Sequence, residues 1–213
     1  VTSTTVQLLD LGYFVRPAEE WGGPHARVEP VLAYLVRHEG GTLVFDTGIG
    51  TGSPETDAHY QPRRRALTVS PEDVDLVVNC HLHFDHIGGN QLFPDTPVLV
   101  QRKELATARA GDYTLDRLLD GVRYQEIDGE YEIAPGITVV PTPGHTEGHQ
   151  SLVIDHGDHV TVLAGQAYDF AAEFGVPYRP WLDRLAELAR GRTAYVRFAH
   201  DRDLWEGVLP PRR

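Results

Sequence analysis

Short runs of Val, Ile, Leu and Thr alternate along the chain with polar segments that carry Gly and Pro. The runs predict strands at 42–45, 75–79, 97–101, 137–140, 151–154, 159–163 and 193–198. Several are apolar almost throughout, as in strands covered on both faces. Helical spacing occurs around 102–110, 114–119 and 180–190. In the last of these Trp181, Leu185 and Leu188 share one face, Pro180 suits the first turn, and Gly191 suits a stop. The stretches 17–30 and 48–66 read as surface loops. There is no linker, low-complexity segment or internal repeat. Strands in both halves with helices between them predict an α/β protein, a single domain over 1–213, with helices packed outside two sheets.

The composition narrows the classes of function. The chain has 213 residues and a formal charge of −12, so phosphate backbones and anionic membranes should repel it, and no nucleic-acid or membrane partner is expected. No apolar run reaches the roughly 18 to 20 residues that cross a bilayer. The first residues, Val1 to Thr5, lack the basic and apolar segments of a secretory signal. A single cysteine, Cys80, permits no internal disulfide and fits a reducing compartment, so a cytoplasmic protein is expected. The near-absence of Lys and the lack of Met point to codon bias and carry no functional meaning.

One hexapeptide concentrates the chemistry: His81-Leu82-His83-Phe84-Asp85-His86, followed by Ile87-Gly88-Gly89. Three imidazoles and a carboxylate at this density suit a divalent transition metal. In an extended segment His81 and His83 point the same way and can share an ion. Asp85 and His86 would diverge on a strand, so the chain must turn there, and Gly88-Gly89 makes a turn easy. A two-ion site needs donors from several strand ends, and the loop from Thr142 to His149 can bring a distant imidazole. The isolated His25, His38, His59, His156 and His159 read as solvated or hydrogen-bonded side chains.

The hexapeptide resembles the His-x-His-x-Asp-His signature of the metallo-β-lactamase superfamily. Further stretches are similar to N-acyl homoserine lactone lactonases: Gly88-Gly89-Asn90, Val100-Gln101-Arg102, Gly129 to Glu132, Pro135-Gly136, and Thr142 to His149 continuing through Leu152. This resemblance, which covers nearly the whole chain, implies an αββα sandwich of two mixed β-sheets flanked by helices. It implies His81, His83 and His145 on one ion and Asp85, His86 and His200 on the other. Asp46, in a recurrent Asp-x-Gly turn, would orient a metal-binding histidine; His149 would support its loop, and Cys80 would pack. Zinc fits the donors, as two ions or one; iron, manganese and cobalt fit them as well.

The family pattern breaks at one position. The resemblance implies an aspartate bridging the two ions after the strand at 159–163, and Gln166 stands there. A neutral amide oxygen binds a cation more weakly and bridges poorly. Three arrangements stay open: Gln166 coordinates through its carbonyl oxygen, Gln166 donates a hydrogen bond in a one-ion site, or Asp169 reaches inward. The resemblance also implies a tyrosine on the substrate carbonyl three residues beyond the bridging position. Tyr168 is the counterpart, at two.

Such a site implies hydrolysis of a small-molecule lactone, ester or thioester. Metal binding lowers the pKa of water to about 7, so that hydroxide can attack the carbonyl, with Asp85 passing a proton to the leaving alkoxide. A lactonase-like metallohydrolase is the first reading. A thioesterase of the hydroxyacylglutathione kind uses the same ligands, and Gln166 is the one feature that favours a non-catalytic ligand-binding protein on a decayed scaffold. The pocket loops specify neither the acyl chain nor the oligomeric state.

Overall fold

The structure is a computed structural model that describes residues 4–208 except 51, 112, 113 and 115. The first sheet is built from β1 (Thr5–Arg16), β2 (Arg27–His38), β3 (Gly41–Phe45), β4 (Arg63–Arg64), β5 (Leu76–Val78), β6 (Val98–Gln101) and β7 (Tyr124–Ile127), in the order β4-β1-β2-β3-β5-β6-β7. The second holds β8 (Tyr131–Ala134), β9 (Ile137–Pro141), β10 (Gln150–Asp155), β11 (His159–Gly165) and β12 (Thr193–Phe198), in the order β12-β11-β10-β9-β8. Both are mixed: β3, β5, β6 and β7 run parallel to one another, as do β11 and β12, and the remaining pairs are antiparallel. The helices are α1 (Ala18–Trp21), α2 (Pro54–Tyr60), α3 (Phe84–Ile87), α4 (Arg102–Arg109), α5 (Asp116–Leu119), α6 (Trp181–Ala189) and α7 (Arg202–Val208).

Side-chain alternation explains how the sheets stack. Tyr34, Val36, Leu43, Phe45, Val78 and Leu99 of the first sheet meet Ile137, Val139, Leu152, Ile154 and Leu163 of the second in one buried layer. The intervening residues of β9, β10 and β11, Val140, Val153, Val160 and Val162, face outward, where Trp181, Leu185 and Ala189 of α6 cover them. On the other side Leu105 and Ala108 of α4 pack with Val100 and with Leu118 and Leu119 of α5. Strands apolar on both faces are the consequence of helices outside both sheets. The expected αββα sandwich is the fold observed.

Two expected loops hold regular structure. The stretch 17–30 contains α1 and the start of β2, and 48–66 contains α2 and β4. The long β1–β2 hairpin escaped the strand pattern for a physical reason. Its register shifts between Asp10 and Tyr13, and Gly12 takes φ +102° there, with the carbonyl of Arg63 where a Cβ would stand. A bulge of this kind breaks the alternation that marks a strand. No helix among the described residues is long and apolar enough to cross a membrane.

Candidate metal centre

Every donor segment leaves the C-terminal end of a strand. Asp46 follows β3, the hexapeptide follows β5, the loop 142–149 follows β9, Gln166 follows β11 and His200 follows β12. The chain turns after His83, as the sequence requires, by entering the single-turn helix α3 that carries Asp85 and His86. Gly88 serves this turn differently from the expectation. Its φ of −60° is open to any residue, and what excludes a side chain is the carbonyl of Ile49, 1.7 Å from where a Cβ would lie. The loop after β3 is thereby pressed against the end of α3, where Thr47 N–H donates to His86 O at 2.8 Å.

The structure brings the expected donors together in two sets, His81 with His83 and His145, and Asp85 with His86 and His200. In the first, His83 Nδ1 lies 2.9 Å from His81 Nε2 and 3.0 Å from His145 Nε2. Burial holds His83 down to about 4 and His145 to about 3, and it lowers His81 as well. Neutral imidazoles carry a lone pair on one ring nitrogen, and three such nitrogens converging without enough protons between them match the demand of a cation. In the second set Asp85 Oδ2 lies 3.3 Å from His86 Nε2 and 3.4 Å from His200 Nε2. Both of those nitrogens are buried without a hydrogen-bond partner. Burial opposes charge on His86, yet the carboxylates of Asp85 and Asp46 outweigh it and raise His86 above the ordinary imidazole range. The pocket thus draws a positive charge to the place where a metal would sit. These residues fit a metal.

The opposite ring nitrogens are fixed from behind. His86 Nδ1 meets Asp46 Oδ2 at 2.9 Å and His200 Nδ1 donates to Pro30 O at 2.7 Å, which leaves each Nε2 for a ligand bond. Asp46 sits at φ 64° and also accepts the Cys80 N–H at 2.8 Å. Cys80 is fully buried beneath the donors, where burial and Asp46 push its thiol up to about 12. It packs as an uncharged group, not as a thiolate. His149 Nε2 accepts the Gln166 main-chain N–H at 3.1 Å, and its Nδ1 meets Thr142 Oγ1 at 2.8 Å, so neither nitrogen remains for a metal.

Gln166 reaches the centre, and Tyr168 does not. Gln166 lines the same cavity as His83, Asp85 and His145. The Tyr168 ring lies in the apolar layer with Trp181 and Phe198, and its hydroxyl donates to Pro177 O at 2.6 Å. The expected place of Tyr168 on a substrate carbonyl is not the one observed: two residues beyond Gln166, the side chain turns into the core. Asp169, three residues beyond, faces Arg16 and Arg27, whose guanidinium nitrogens lie 3.2 and 2.9 Å from its Oδ2, and it joins neither donor set.

Sequence reasoning missed Glu104. It is fully buried, accepting the Leu82 N–H at 2.9 Å and the Thr146 hydroxyl at 2.7 Å, and so ties the hexapeptide to the loop of His145. Its place in the first turn of α4, after Arg102 and Lys103, reads as surface charge, and no periodicity betrays its burial. A cavity of about 190 Å³ opens over the donors. Its walls are an aromatic cluster, Phe14, Tyr60 and Phe84, and an ionic cluster, Arg16, Glu20 and Glu29.

Comparison with known proteins agrees with this geometry. A family model of the metallo-beta-lactamase superfamily matches residues 26–206. An N-acyl homoserine lactonase of Bacillus sp is 34% identical over 146 residues, 59% of this chain and 58% of that protein. The N-acyl homoserine lactonase AiiA of Bacillus thuringiensis subsp. kurstaki is 29% identical over 203 residues, 81% of each chain. The first of these relatives is thus matched over less than two thirds of its length. A crystal structure of a quorum-quenching N-acyl homoserine lactone lactonase superposes with a TM-score of 0.81 at 26% identity, over 98% of this chain and 97% of that one.

Proposed function

The chain belongs to the metallo-β-lactamase superfamily, and on that premise we propose that it is a metal-dependent hydrolase that opens an N-acyl homoserine lactone or a closely related ester. One observation carries the reading: two donor triads converge beside a single cavity, His81 with His83 and His145, and the buried set Asp85, His86 and His200, in which both imidazole Nε2 atoms are buried without a hydrogen-bond partner. His81, His83 and His145 would hold one zinc ion and Asp85, His86 and His200 a second, with Gln166 beside them. The two lactonase relatives and the lactonase of like fold support the choice of a lactone.

Bound metal supplies a water of lowered pKa, about 7, and polarisation of the scissile carbonyl. The chain's own groups then divide the remaining work. Asp85 lines the cavity and would orient the attacking water, take its proton and deliver it to the leaving alkoxide. The Tyr168 hydroxyl, committed to Pro177 O, and Asp169, held as a carboxylate, offer no hydrogen to a substrate carbonyl in this arrangement. Burial would push Asp169 up, but the hydrogen bond from Gln166 and the charges of Arg16 and Arg27 hold it below the ordinary carboxylate range.

The test is acid release by zinc-loaded protein from N-hexanoyl homoserine lactone, beside an acyl thioester and a β-lactam. Preference for the lactone, lost in Asp85→Asn protein that keeps its metal, is the expected result. Preference for the thioester would move the assignment to a thioesterase, and no turnover of any of the three by metal-loaded protein would remove hydrolysis from the reading.

A further inference from the structure

Gln166 is held in one orientation. Its main-chain N–H donates to His149 and its side-chain Nε2 donates to Asp169 Oδ1 at 3.0 Å. A carboxylate can only accept, so the end of the amide that faces Asp169 is the NH2, and the carbonyl oxygen is the end left for the cavity. The other Asp169 oxygen receives Arg16 and Arg27 at 3.2 and 2.9 Å. Arg27 is itself fixed, with its guanidinium 4.6 Å from the Trp21 ring and 4.4 Å from that of Phe170, and with Nε on Glu29.

We propose that Asp169 is a positioning residue for the metal centre: it holds Gln166 so that the amide oxygen, rather than the NH2, is offered to the ions of the two triads. The proposal rests on the reading of those triads as metal sites. Two physical effects act together. An amide NH2 turned toward a cation would repel it, and Asp169 makes that orientation the costly one. A hydrogen bond from the NH2 to a carboxylate also shifts electron density onto the carbonyl oxygen and makes it a better donor. Arg16 and Arg27 neutralise Asp169 and keep it from swinging toward the metal in place of Gln166. The negative charge that a bridging aspartate would bring has moved one residue shell outward, onto a carboxylate that works through the amide.

The test is a double-mutant cycle read by metal retention: zinc per chain by elemental mass spectrometry, and affinity by competition with a chelator. Asp169→Asn presents Gln166 with either an oxygen or an NH2, so the orientation is no longer imposed. Outer partners of metal ligands are worth about 10- to 100-fold in affinity, and Asp169→Asn should weaken retention by about tenfold or more. In the Q166D background both side-chain oxygens are equivalent and no orientation needs fixing. There the same change should cost less than about twofold, within ordinary additivity. Equal losses in the two backgrounds would make Asp169 a merely structural residue, and no loss in either would overturn the proposal. Thermal melts accompany each variant; should D169N protein not fold, Asp169→Ser, whose hydroxyl can donate or accept and so imposes no orientation on Gln166, enters the same cycle. Wild-type protein that retains no metal would remove this proposal and the metal-centre reading together. Retained metal with no coupling would remove this proposal alone.

Discussion

His86 Nδ1 stands 2.9 Å from Asp46 Oδ2, while its Nε2 is buried and unpaired opposite Asp85. Asp46 thus decides which ring nitrogen keeps its proton when a metal displaces the other: an acceptor at Nδ1 holds the proton there and frees Nε2 for the metal. Asp46→Asn keeps the shape and tolerates the positive φ, but it can turn an NH2 toward Nδ1 and so drive the proton to the nitrogen a metal needs. Metal affinity should fall by about 10- to 100-fold, measured by chelator competition. Unchanged affinity would mean that Asp46 serves the turn after β3 and not the histidine.

Tyr168→Phe separates the observed place of this ring from the role that the family resemblance gives it. The lost hydrogen bond to Pro177 O should cost about 1 kcal/mol of stability, seen in a denaturant titration. Lactone turnover at saturation should stay within about twofold, since additivity between separated groups holds to that degree. A fall in kcat of tenfold or more, with KM unchanged, would restore Tyr168 to the reacting carbonyl.

The sequence carries the donor sets more clearly than what supports them. His81, His83, Asp85 and His86 are legible because ligands to one centre can share a short segment, and His145 and His200 because loops after strands must supply the rest. The β1–β2 hairpin is not legible, since the bulge at Gly12 and the Pro within β2 interrupt its alternation. Glu104, Arg16 and Arg27 resemble surface charges in one dimension. They acquire their roles only when the folded sheets bring Leu82, Thr146 and Asp169 to them. The two-residue offset of Tyr168 was legible as a departure, but its direction was not, because nothing local fixes which way a side chain leaves the turn after β11.

Glu104 carries the next expectation. One carboxylate serves the Leu82 N–H and the Thr146 hydroxyl, one oxygen each. Glu104→Leu removes both acceptors and leaves the buried Leu82 N–H without its partner, whereas Glu104→Gln, whose oxygen can keep Leu82 and whose NH2 can donate to the Thr146 hydroxyl, should cost less. Leaving a buried donor unsatisfied costs about 1–3 kcal/mol, so the melting temperature of Glu104→Leu protein should drop by roughly 3 to 10 °C for a chain of this size. Because the residue ties the hexapeptide to the loop of His145, metal retention should weaken with it. A destabilised variant with unaltered metal affinity would confine Glu104 to packing.

Metal removal tests the triads as a unit. The unfolded chain cannot gather His81, His83, Asp85, His86, His145 and His200, so metal binds the folded state and stabilises it by linkage. At a free metal concentration one hundred times Kd the gain is about 2.7 kcal/mol, or roughly 5 to 10 °C in melting temperature. Chelation followed by desalting should therefore lower the melting temperature by about that amount, and added zinc should restore it. His200→Ala removes a donor from one triad and leaves the other whole, so its gap between loaded and stripped protein should shrink without closing. His81→Ala, at the opposite triad, should shrink it independently. If loaded and stripped wild-type protein melt together, the convergent nitrogens are satisfied by protons in the folded chain, and the centre is not a metal site.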